Sequence, residues 1–428
     1  MNLLLINHYA GSTTHGMEFR PYYLAREWIE QGHKVRIVAA SYAHVRTQQP
    51  PSRLVDGIET IDGIEYEWLR TPAYSGNSAA RAINIFTFAG KLLAASKRLA
   101  RDFRPDIVIA SSTHPFDIYG AQRIARLAKA RIIFEIHDLW PLSPIELGGM
   151  SPSHPFILAI GAAERHALKT ADVVISILPL TRDYLVARGM APEKFFHIPN
   201  GIDIREWDAP LQPLQPAHAS ALQRLREQGK FLVGYAGAHG TANQLVNVLD
   251  AATRCSDAQV HFVLVGHGPE KEWLIAETMR RGLTNITFLD PVPKTVIPSL
   301  LSRFDALYFA MKKEKLYRFG ISLNKLMDYM MAAKPIIQAV AAGNDPVKDS
   351  GCGITIAPEA PHALLDAIDY LKHLDRDAVD ALGQRGRAYA LGNHDYRVLA
   401  KQFLDAATRT PCTNVAKPLS GAETATRH

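Results

Sequence analysis

Short apolar runs rich in β-branched residues alternate with longer helical patterns along most of this chain. In the first half the runs are L-L-L-I-N at the start, K-V-R-I-V-A-A at 34–40, D-I-V-I-A-S at 106–111, R-I-I-F-E-I at 131–136 and D-V-V-I-S-I at 172–177. Strands without polar alternation are typical of a parallel sheet that is covered by helices on both faces. The first half therefore predicts an α/β doubly wound domain.

The same pattern restarts in the second half of the chain. Strand-like runs follow at 231–237, 260–268, 285–290, 305–310, 334–340 and 353–357. The chain has 428 residues, and a single core seldom grows past roughly 250–300 residues. We therefore predict two doubly wound, Rossmann-like domains that face one another across a cleft, with ligands at the carboxyl ends of the strands.

The domain boundary is expected at I-P-N-G-I-D, residues 198–203, which precedes the linker-like stretch A-P-L-Q-P-L-Q-P-A-H-A-S. This division gives a first domain over 1–198 and a second domain over 199–392. Residues 393–409 are predicted as a helix that packs back on the first domain. Residues 410–428 are small and polar and predict a flexible tail.

Bulk composition narrows the possible partners. Hydrophobic residues make up 47% of the chain and charged residues 21%, with a net charge of +6. A basic balance favours an anionic partner, either phosphate groups or a membrane surface. The basic residues are spread out and form no recognised nucleic-acid module, so no nucleic-acid partner is expected.

Cysteine usage and hydropathy indicate a cytoplasmic protein. Cys255, Cys352 and Cys412 have no metal-ligand spacing and are interpreted as free thiols in a reducing compartment. The first residues lack a basic segment before their apolar run, which argues against a signal peptide. No apolar stretch reaches the ~18 residues that indicate a membrane-spanning helix.

Two loops of the first half carry candidate functional residues. The loop N-H-Y-A-G-S-T-T-H-G-M-E-F-R leads through Gly16 into a helix, which suits either a phosphate or a tight turn. His137 and Asp138 directly follow the strand at 131–136. A histidine there can hydrogen-bond a sugar hydroxyl or stabilise developing charge, and the alternative is a structural residue at the strand end.

Two glycine loops follow strands of the second half. G-Y-A-G-A-H-G contains Gly237 and His239, and G-H-G-P-E begins at Gly266. Neither is a complete phosphate-binding fingerprint, and turn geometry alone also explains single glycines. Both remain candidates for phosphate contacts.

The segment G-I-S-L-N-K-L-M-D places polar groups at the start of an otherwise apolar helix. Gly320 and Ser322 supply backbone N–H groups near Asn324 and Lys325, an arrangement that suits a diphosphate. Asp328 lies one turn later, where a carboxylate can accept hydrogen bonds from a ribose diol. The alternative is that Ser322 or Asn324 caps the helix and Asp328 is solvated.

Several motifs together resemble a known family. They are I-P-N-G-I-D, F-V-L-V-G-H-G-P-E, N-I-T-F-L-D-P-V-P-K-T-V-I-P and N-K-L-M-D-Y-M-M-A-A-K-P-I-I. Nearly the whole chain resembles glycosyltransferase family 4, retaining nucleotide-sugar transferases of the GT-B fold. N-H-Y-A-G, G-M-E-F-R-P-Y-Y-L-A and H-D-L-W-P-L-S-P-I-E-L-G resemble a bacterial branch that builds O-antigen, capsule or exopolysaccharide.

The resemblance implies an enzyme that moves a hexosyl or N-acetylhexosaminyl group. A nucleotide-sugar donor, UDP-linked, is expected on the second domain, and a glycan or polyprenyl-linked acceptor on the first. His137 matches a family histidine beside the donor sugar. Asp328 matches the second of two family glutamates, which binds the ribose, whereas the first glutamate has no clean match. Glu18 and Arg20 are expected to face the acceptor or the phosphates, with Asp138 also on the acceptor side.

The family's usual arginine–lysine pair after the first strand of the second domain is missing. Arg318 and Lys325 are therefore predicted to neutralise the diphosphate during transfer, with help from His239 and backbone N–H groups. The D-x-D sequence at Asp375–Asp377 lies in a helical pattern, where residues two apart do not face one another. We therefore expect no metal and no other cofactor.

Residues 79–104 alternate apolar and basic positions at helical spacing. Such a helix can lie on an anionic membrane, where lipid-linked acceptors reside, and residues 150–161 are a second candidate segment. The alternative is an ordinary helix that covers the sheet with a basic outer face. Two other functions also stay open: a nucleotide-sugar epimerase or hydrolase of the same fold, and a catalytically silent nucleotide-sugar-binding subunit.

Overall fold

The first half of the chain folds around an eight-stranded sheet in the computed structural model, which describes residues 1–76 and 78–409. The strands are β1 (Asn2–Ile6), β2 (Lys34–Ala40), β3 (Ile58–Ile61), β4 (Ile64–Leu69), β5 (Ile107–Ala110), β6 (Arg131–Ile136), β7 (Val173–Ser176) and β8 (Phe195–His197). The helices are α1 (Arg20–Glu30), α2 (Ala79–Asp102), α3 (Ile118–Ala128), α4 (Leu142–Glu146), α5 (Pro155–Thr170) and α6 (Arg182–Ala187). The strand order is β3-β4-β2-β1-β5-β6-β7-β8, and β3 and β4 are the only antiparallel pair among the described strands of this sheet.

A six-stranded, all-parallel sheet forms the second half, in the order β11-β10-β9-β12-β13-β14. Its strands are β9 (Phe231–Ala236), β10 (Val260–Val265), β11 (Ile286–Leu289), β12 (Ala306–Ala310), β13 (Ile336–Ala339) and β14 (Gly353–Ile356). The helices from the domain crossing onward are α7 (Ile204–Asp208), α8 (Pro216–Glu227), α9 (Val246–Arg254), α10 (Lys271–Arg280), α11 (Ile297–Leu301), α12 (Asn324–Met331), α13 (Pro346–Ser350), α14 (Pro361–His373), α15 (Arg376–Asn393) and α16 (Tyr396–Thr408). The predicted fold class of two doubly wound α/β domains is confirmed.

Both faces of the first sheet are covered, which explains its unbroken apolar strands. On one face Leu3 and Leu5 of β1 belong to a core cluster with residues of α1 and α16. On the other face Leu4 and Ile6 belong to a cluster with residues of α2, α3 and α5. Alternate side chains of the same strand are therefore buried in different cores, and neither face can be polar.

The last helix crosses back to the first domain. The Trp28 indole Nε1 donates a hydrogen bond of 3.0 Å to the carbonyl of Ala400, and the ring of Phe403 lies 5.1 Å from that of Trp28. The packing of α16 on α1 thus anchors the end of the described chain to its beginning. The predicted tail at 410–428, which includes Cys412, lies outside the described residues.

Two local features differ from the sequence-based expectations. The β3–β4 hairpin was missed, although its turn at Asp62 and Gly63 has the positive φ angles, 49° and 80°, that a tight D-G hairpin requires. The linker was drawn too long, because α8 begins at Pro216 within the Pro-rich stretch. Proline is tolerated there because the first turn of a helix has no partner for its N–H groups.

The contact between α2 and α3 gives a stability prediction. A Cβ atom at Gly120 in α3 would lie 2.6 Å from Cγ of the buried Leu92 in α2, whereas one at Gly90 in α2 would meet nothing within 4 Å. We expect Gly120→Ala to lower the free energy of unfolding by about 1–2 kcal/mol, since overpacking outweighs the gain in helix propensity. The matched Gly90→Ala should be neutral or stabilising by up to about 1 kcal/mol. Urea denaturation measures both, and equal stability of the two variants would contradict this packing.

Candidate active site

The glycine loops after β9 and β10 touch one another through their backbones. A Cβ atom at Gly266 would lie 1.9 Å from the carbonyl oxygen of Gly237, and one at Gly268 would lie 2.4 Å from the carbonyl oxygen of His239. Only glycine allows this approach. Gly237, His239 and Gly266, predicted as separate loop residues, therefore lie together at the carboxyl edge of the second sheet.

Lys325 in the first turn of α12 extends toward these loops. Its Nζ donates to Asn243 Oδ1 at 2.6 Å and to the Tyr235 hydroxyl at 3.1 Å, and it lies 4.8 Å from the centre of the Tyr235 ring. A Cβ atom at Gly237 would be 3.2 Å from the same Nζ. Burial lowers the Lys325 pKa to about 8. The result is a partly desolvated cation beside a glycine loop and a helix start, an arrangement suited to an anion.

His239 contributes no positive charge to this region. Burial first, and then the charges of Lys271, His267 and Lys325, lower its pKa to about 4, so the ring is neutral near pH 7. Both ring nitrogens lack a hydrogen-bond partner within the described part of the chain. The neutral ring can offer one N–H donor to an anion, and the help of His239 in binding a diphosphate stays a prediction.

Asp328 lies one turn further along α12, beneath the short helix α7. The Trp207 indole donates to Asp328 Oδ1 at 3.4 Å, and Oδ2 makes no hydrogen bond to any described residue. Burial raises the Asp328 pKa to about 6, and the nearby Lys294 partly opposes that shift. A carboxylate oxygen is thus available to a ligand on the α12 face that also carries Lys325.

The residues that precede α12 contact the segment where the chain crosses between the domains. The backbone N–H of Asn200 donates to Ser322 Oγ at 2.8 Å, and its side-chain amide donates to the Ser322 carbonyl at 2.8 Å. A Cβ atom at Gly320, where φ is +96°, would lie 2.6 Å from the ring of Pro179 in the first domain. Gly320 and Ser322 are therefore interdomain contact residues, and their place in the donor site stays a prediction. Asn324 is exposed at the helix start.

Arg318 also makes an interdomain contact. Its Nη1 and Nη2 donate to the two carboxylate oxygens of Glu146 in α4, each at 2.8 Å. The neighbouring Leu316 is buried in the core of the first domain, and the Leu180 N–H donates to the Phe319 carbonyl at 3.1 Å. In this structure Arg318 is thus paired across the domain interface.

His137 lies directly after β6, at the carboxyl end of that strand. Its Nε2 is 3.0 Å from Glu135 Oε2 and 2.9 Å from Ser111 Oγ. Burial would raise the Glu135 pKa, but Arg20, His137 and Ser111 together lower it to about 2, so this carboxyl group is ionised. Sequence reasoning missed Glu135, although an acidic residue within an apolar strand was a visible signal.

The remaining first-domain candidates have structural contacts. Arg20, at 1% exposure, donates from Nε to Glu135 Oε1 at 3.0 Å, so it does not face an acceptor as expected. Asp138 accepts from the Leu139 N–H at 2.9 Å, from the Ser143 hydroxyl and from the Trp140 indole at 3.3 Å, so its carboxylate holds its own loop.

The first glycine loop closes on itself. Gly16 pairs with Ser12, and a Cβ atom at Gly16, where φ is +89°, would lie 2.6 Å from the Thr47 side chain, which explains this glycine by turn geometry. Glu18 is partly buried beside this loop, and its carbonyl accepts from the Gly11 N–H at 2.9 Å.

The described residues contain neither a cluster of metal ligands nor a membrane-spanning helix. Within residues 1–76 and 78–409, no three His, Cys, Asp or Glu side chains converge as metal ligands. Asp375 of the D-x-D sequence caps α15, where its Oδ1 accepts from the Ala378 N–H at 2.7 Å. None of the described helices is both long enough and apolar enough to cross a bilayer.

Comparison with family models identifies the class of protein. Residues 15–201 match the glycosyl transferase 4-like domain, and residues 230–373 match the glycosyl transferases group 1 domain. The two matches together cover most of the chain, one on each of its domains. The chain belongs to glycosyltransferase family 4, with the GT-B fold.

Individual relatives agree with this assignment. A protein of Escherichia coli (strain K12), WcaI, whose name assigns it to colanic acid biosynthesis as a glycosyl transferase, is 26% identical over 298 residues, 67% of this chain and 71% of its own. Anabaena Alr3699/HepE, solved with UDP and glucose, has a TM-score of 0.65 at 18% identity, covering 95% of this chain and 98% of its own. Sucrose-phosphate synthase of Thermosynechococcus elongatus has a TM-score of 0.69 at 16% identity, covering 94% and 97%.

The Arg318–Glu146 pair gives a test of Arg318 as a phosphate ligand. An exposed ion pair contributes about 0.2–1 kcal/mol. Releasing Arg318 with Glu146→Gln should therefore tighten the binding of inorganic pyrophosphate up to roughly fivefold, if the freed guanidinium reaches the same anion as Lys325. Isothermal titration measures this affinity.

The controls isolate the contribution of Arg318. Glu193→Gln makes the same charge change at an exposed position of the first domain and should leave pyrophosphate affinity unchanged. The double variant Glu146→Gln with Arg318→Met should lose the gain. Unchanged affinity in Glu146→Gln would remove Arg318 from the donor site.

Proposed function

We propose that this chain transfers a hexosyl or N-acetylhexosaminyl group, with retention of anomeric configuration, from a UDP-sugar to a lipid-linked or polysaccharide acceptor in the synthesis of bacterial surface glycans. The observation that carries this proposal is the pairing of two groups on α12. Lys325 extends over the glycine loop of Gly237, and Asp328 offers a free carboxylate oxygen one turn away.

This spacing fits the diphosphate and the ribose of one nucleotide. The diphosphate would lie at the start of α12, where Lys325 and the backbone N–H groups near Gly237 supply positive charge and donors. The ribose diol would donate to Asp328 Oδ2, which is otherwise unused. HepE, which shares the fold, was solved with UDP and glucose, and this supports a uridine nucleotide.

Bond breaking in such a transfer releases the diphosphate from the anomeric carbon. Negative charge grows on the phosphate oxygen while the sugar gains oxocarbenium character. Lys325 is in place before the reaction and would stabilise that charge without a metal ion. His137, on the opposite strand edge, would contact the sugar. The diphosphate would depart and the acceptor hydroxyl would attack on the same face of the sugar, with the hydroxyl proton passing to the departing phosphate oxygen, so that the configuration is retained.

The pKa values of Asp328 and Lys325 predict how nucleotide affinity depends on pH. Uridine affinity should fall as the pH drops through about 6, because Asp328 becomes protonated and loses its anionic acceptor. UDP affinity should fall as the pH rises through about 8, because Lys325 loses its proton. These two pH ranges are called the acid limb and the alkaline limb of the affinity profile. Each charge-assisted hydrogen bond contributes about 1.5–3 kcal/mol. The dissociation constant measured by calorimetry should therefore change roughly 10- to 100-fold across each limb.

Single variants test whether Asp328 causes the acid limb and Lys325 the alkaline limb. Asp328→Asn should flatten the acid limb for uridine, which is the suitable probe because the terminal phosphate of UDP itself titrates at about 6. Lys325→Met should flatten the alkaline limb for UDP. GDP should bind more weakly than UDP, and EDTA should change neither affinity. No nucleotide binding at all would reject the proposal. Binding of a UDP-sugar without transfer would favour a silent binding subunit. Turnover of the UDP-sugar without an acceptor would favour an epimerase or hydrolase.

We also propose that one face of the first domain docks on an anionic membrane, where a lipid-linked acceptor would be reached. Ile83, Phe86 and Leu158 are 59%, 47% and 58% exposed, and the Phe86 ring lies 6.0 Å from that of the half-buried Phe156. These four residues, here called the apolar rim, lie near the starts of α2 and α5. A single exposed apolar residue is ordinary, but this group spans two adjacent helices.

Charge on the same helices supports an anionic partner. Helices α2, α3 and α5 carry nine arginine and lysine residues against two acidic ones, and one of those, Glu164, is buried. Their excess of seven positive charges is larger than the +6 of the entire chain, so the rest of the chain carries no net positive charge. An apolar rim on helices that carry a net positive charge fits the headgroup region of an anionic bilayer.

Vesicle binding tests this surface. Phe86→Ser with Leu158→Ser should weaken co-sedimentation with phosphatidylglycerol vesicles at least tenfold, since each side chain contributes about 1.5–3 kcal/mol when buried in an apolar environment. Arg123→Gln with Arg126→Gln should lower affinity roughly fivefold per charge. Met279→Ser, at an apolar side chain on the second domain that is 74% exposed, is the control and should bind like the wild type. Equal binding by all variants would reject this surface.

A further inference from the structure

A buried polar cluster connects His137 to the strand beneath it. Glu135 is 1% exposed and Ser111 is fully buried, so every polar atom between them needs a partner. Glu135 Oε1 accepts from Arg20, at 3.0 Å from Nε and 2.9 Å from Nη2. Glu135 Oε2 accepts from the Ser111 hydroxyl at 2.6 Å and lies 3.0 Å from His137 Nε2.

The donors and acceptors around Ser111 determine which ring nitrogen of His137 carries the hydrogen. A hydroxyl group has one hydrogen and two lone pairs. The hydrogen of Ser111 is used toward Glu135 Oε2, and one lone pair faces the Asn7 Nδ2 donor at 3.3 Å. The amide orientation of Asn7 is itself set, because its Oδ1 accepts from the Tyr9 N–H at 3.0 Å. Toward His137 Nε2, at 2.9 Å, Ser111 can therefore only accept.

His137 Nε2 thus faces two acceptors, an ionised carboxylate and a hydroxyl oxygen. A bare nitrogen lone pair there would be opposed by both, so Nε2 carries the hydrogen. In the neutral ring Nδ1 then holds the free lone pair. Nδ1 makes no hydrogen bond with any described residue.

We propose that Glu135 is a positioning residue that, with Ser111, holds neutral His137 as its Nε2–H tautomer and so directs the Nδ1 lone pair to a hydroxyl of the sugar to be transferred. The identity of the ligand in this inference rests on the proposed function, whereas the tautomer of His137 follows from the hydrogen bonds alone. It makes His137 an acceptor toward the sugar, not the proton donor to a leaving group.

Arg20 extends this positioning to the domain crossing. It donates from Nη2 to the carbonyl of Ile198 at 3.0 Å, and from Nη1 to the carbonyl of Pro199. These carbonyls belong to the segment where the chain passes from the first domain to the second. The orientation of His137 is therefore tied, through Arg20 and Glu135, to the place of the crossing segment.

The tautomer can be measured directly by ¹⁵N NMR on protein labelled at histidine, in weakly alkaline buffer. The His137 signal is identified by its absence from the spectrum of His137→Gln. The two neutral tautomers have well-separated ring nitrogen shifts. We expect wild-type His137 to carry its hydrogen on Nε2, and Ser111→Ala to shift the ring toward a mixture. Ser111→Thr keeps the hydroxyl and should restore the wild-type signal. A wild-type ring with its hydrogen on Nδ1 would overturn the proposal.

The controls separate positioning from general damage. Ser112→Ala removes the next hydroxyl along the chain, which accepts from the His8 N–H at 3.0 Å, and should leave the His137 tautomer unchanged. Glu135 is best removed together with Arg20, as Glu135→Gln with Arg20→Gln, because Glu135→Gln alone would leave a buried charge unpaired. In this double variant His137 should no longer be purely the Nε2–H tautomer. If His137 stays purely Nε2–H, Glu135 is not a positioning residue.

Ligand binding provides the second measurement. Ser111→Ala should bind UDP as the wild type does, because that contact lies on the other domain, but should bind UDP-glucose roughly three- to tenfold more weakly, the value of one hydrogen bond. Equal loss for both ligands would indicate structural damage and reject the positioning role. If no nucleotide binds even to the wild type, the proposed function fails, and the tautomer measurement still decides the geometry.

Discussion

The buried ion pair between Arg20 and Glu135 joins the parts of this protein that must act together. A buried charge is tolerated only when it is paired and its remaining donors are satisfied. Here the carboxylate also reaches His137, while the guanidinium also reaches the carbonyls of Ile198 and Pro199. Loss of either partner would leave an unpaired charge between helix α1, strand β6 and the domain crossing. The pair therefore constrains both the fold and the candidate site.

Contacts between the domains come from the same loops that form the candidate site. Ser322 bonds Asn200 just before the helix that carries Lys325, and Arg318 bonds Glu146 on the first domain. A shift of one domain against the other would therefore move α12 relative to the crossing segment. Since parallel sheets place their loops at the carboxyl ends of the strands, ligand contacts and domain contacts compete for the same short segments. Several loop residues predicted as ligand contacts are domain contacts for this reason.

Sequence patterns predicted the fold better than the individual side-chain roles. Unbroken apolar strands alternating with helices have few other solutions, so the two doubly wound domains followed from periodicity alone. The placement of Lys325 and Asp328 on neighbouring positions of one helix followed from helical spacing. The hairpin over 58–69 was missed because its strands alternate in polarity, unlike the unbroken apolar strands in the rest of the sheet. Nothing in the spacing of Arg318 and Glu146, 172 residues apart, could indicate that they pair.

Local periodicity was enough to predict two domains, their parallel sheets and the sheet edge at which functional loops lie, because strand and helix patterns are set by residues close together in the chain. Which charged side chains are available to a ligand depended on the folded structure. Arg20 and Arg318 are alike in sequence as basic residues near glycine loops, yet one is buried with Glu135 and the other spans the domain interface. Pairing depends on distances between residues far apart in the chain, and the burial that sets the pKa values of Asp328 and Lys325 exists only after the core has formed.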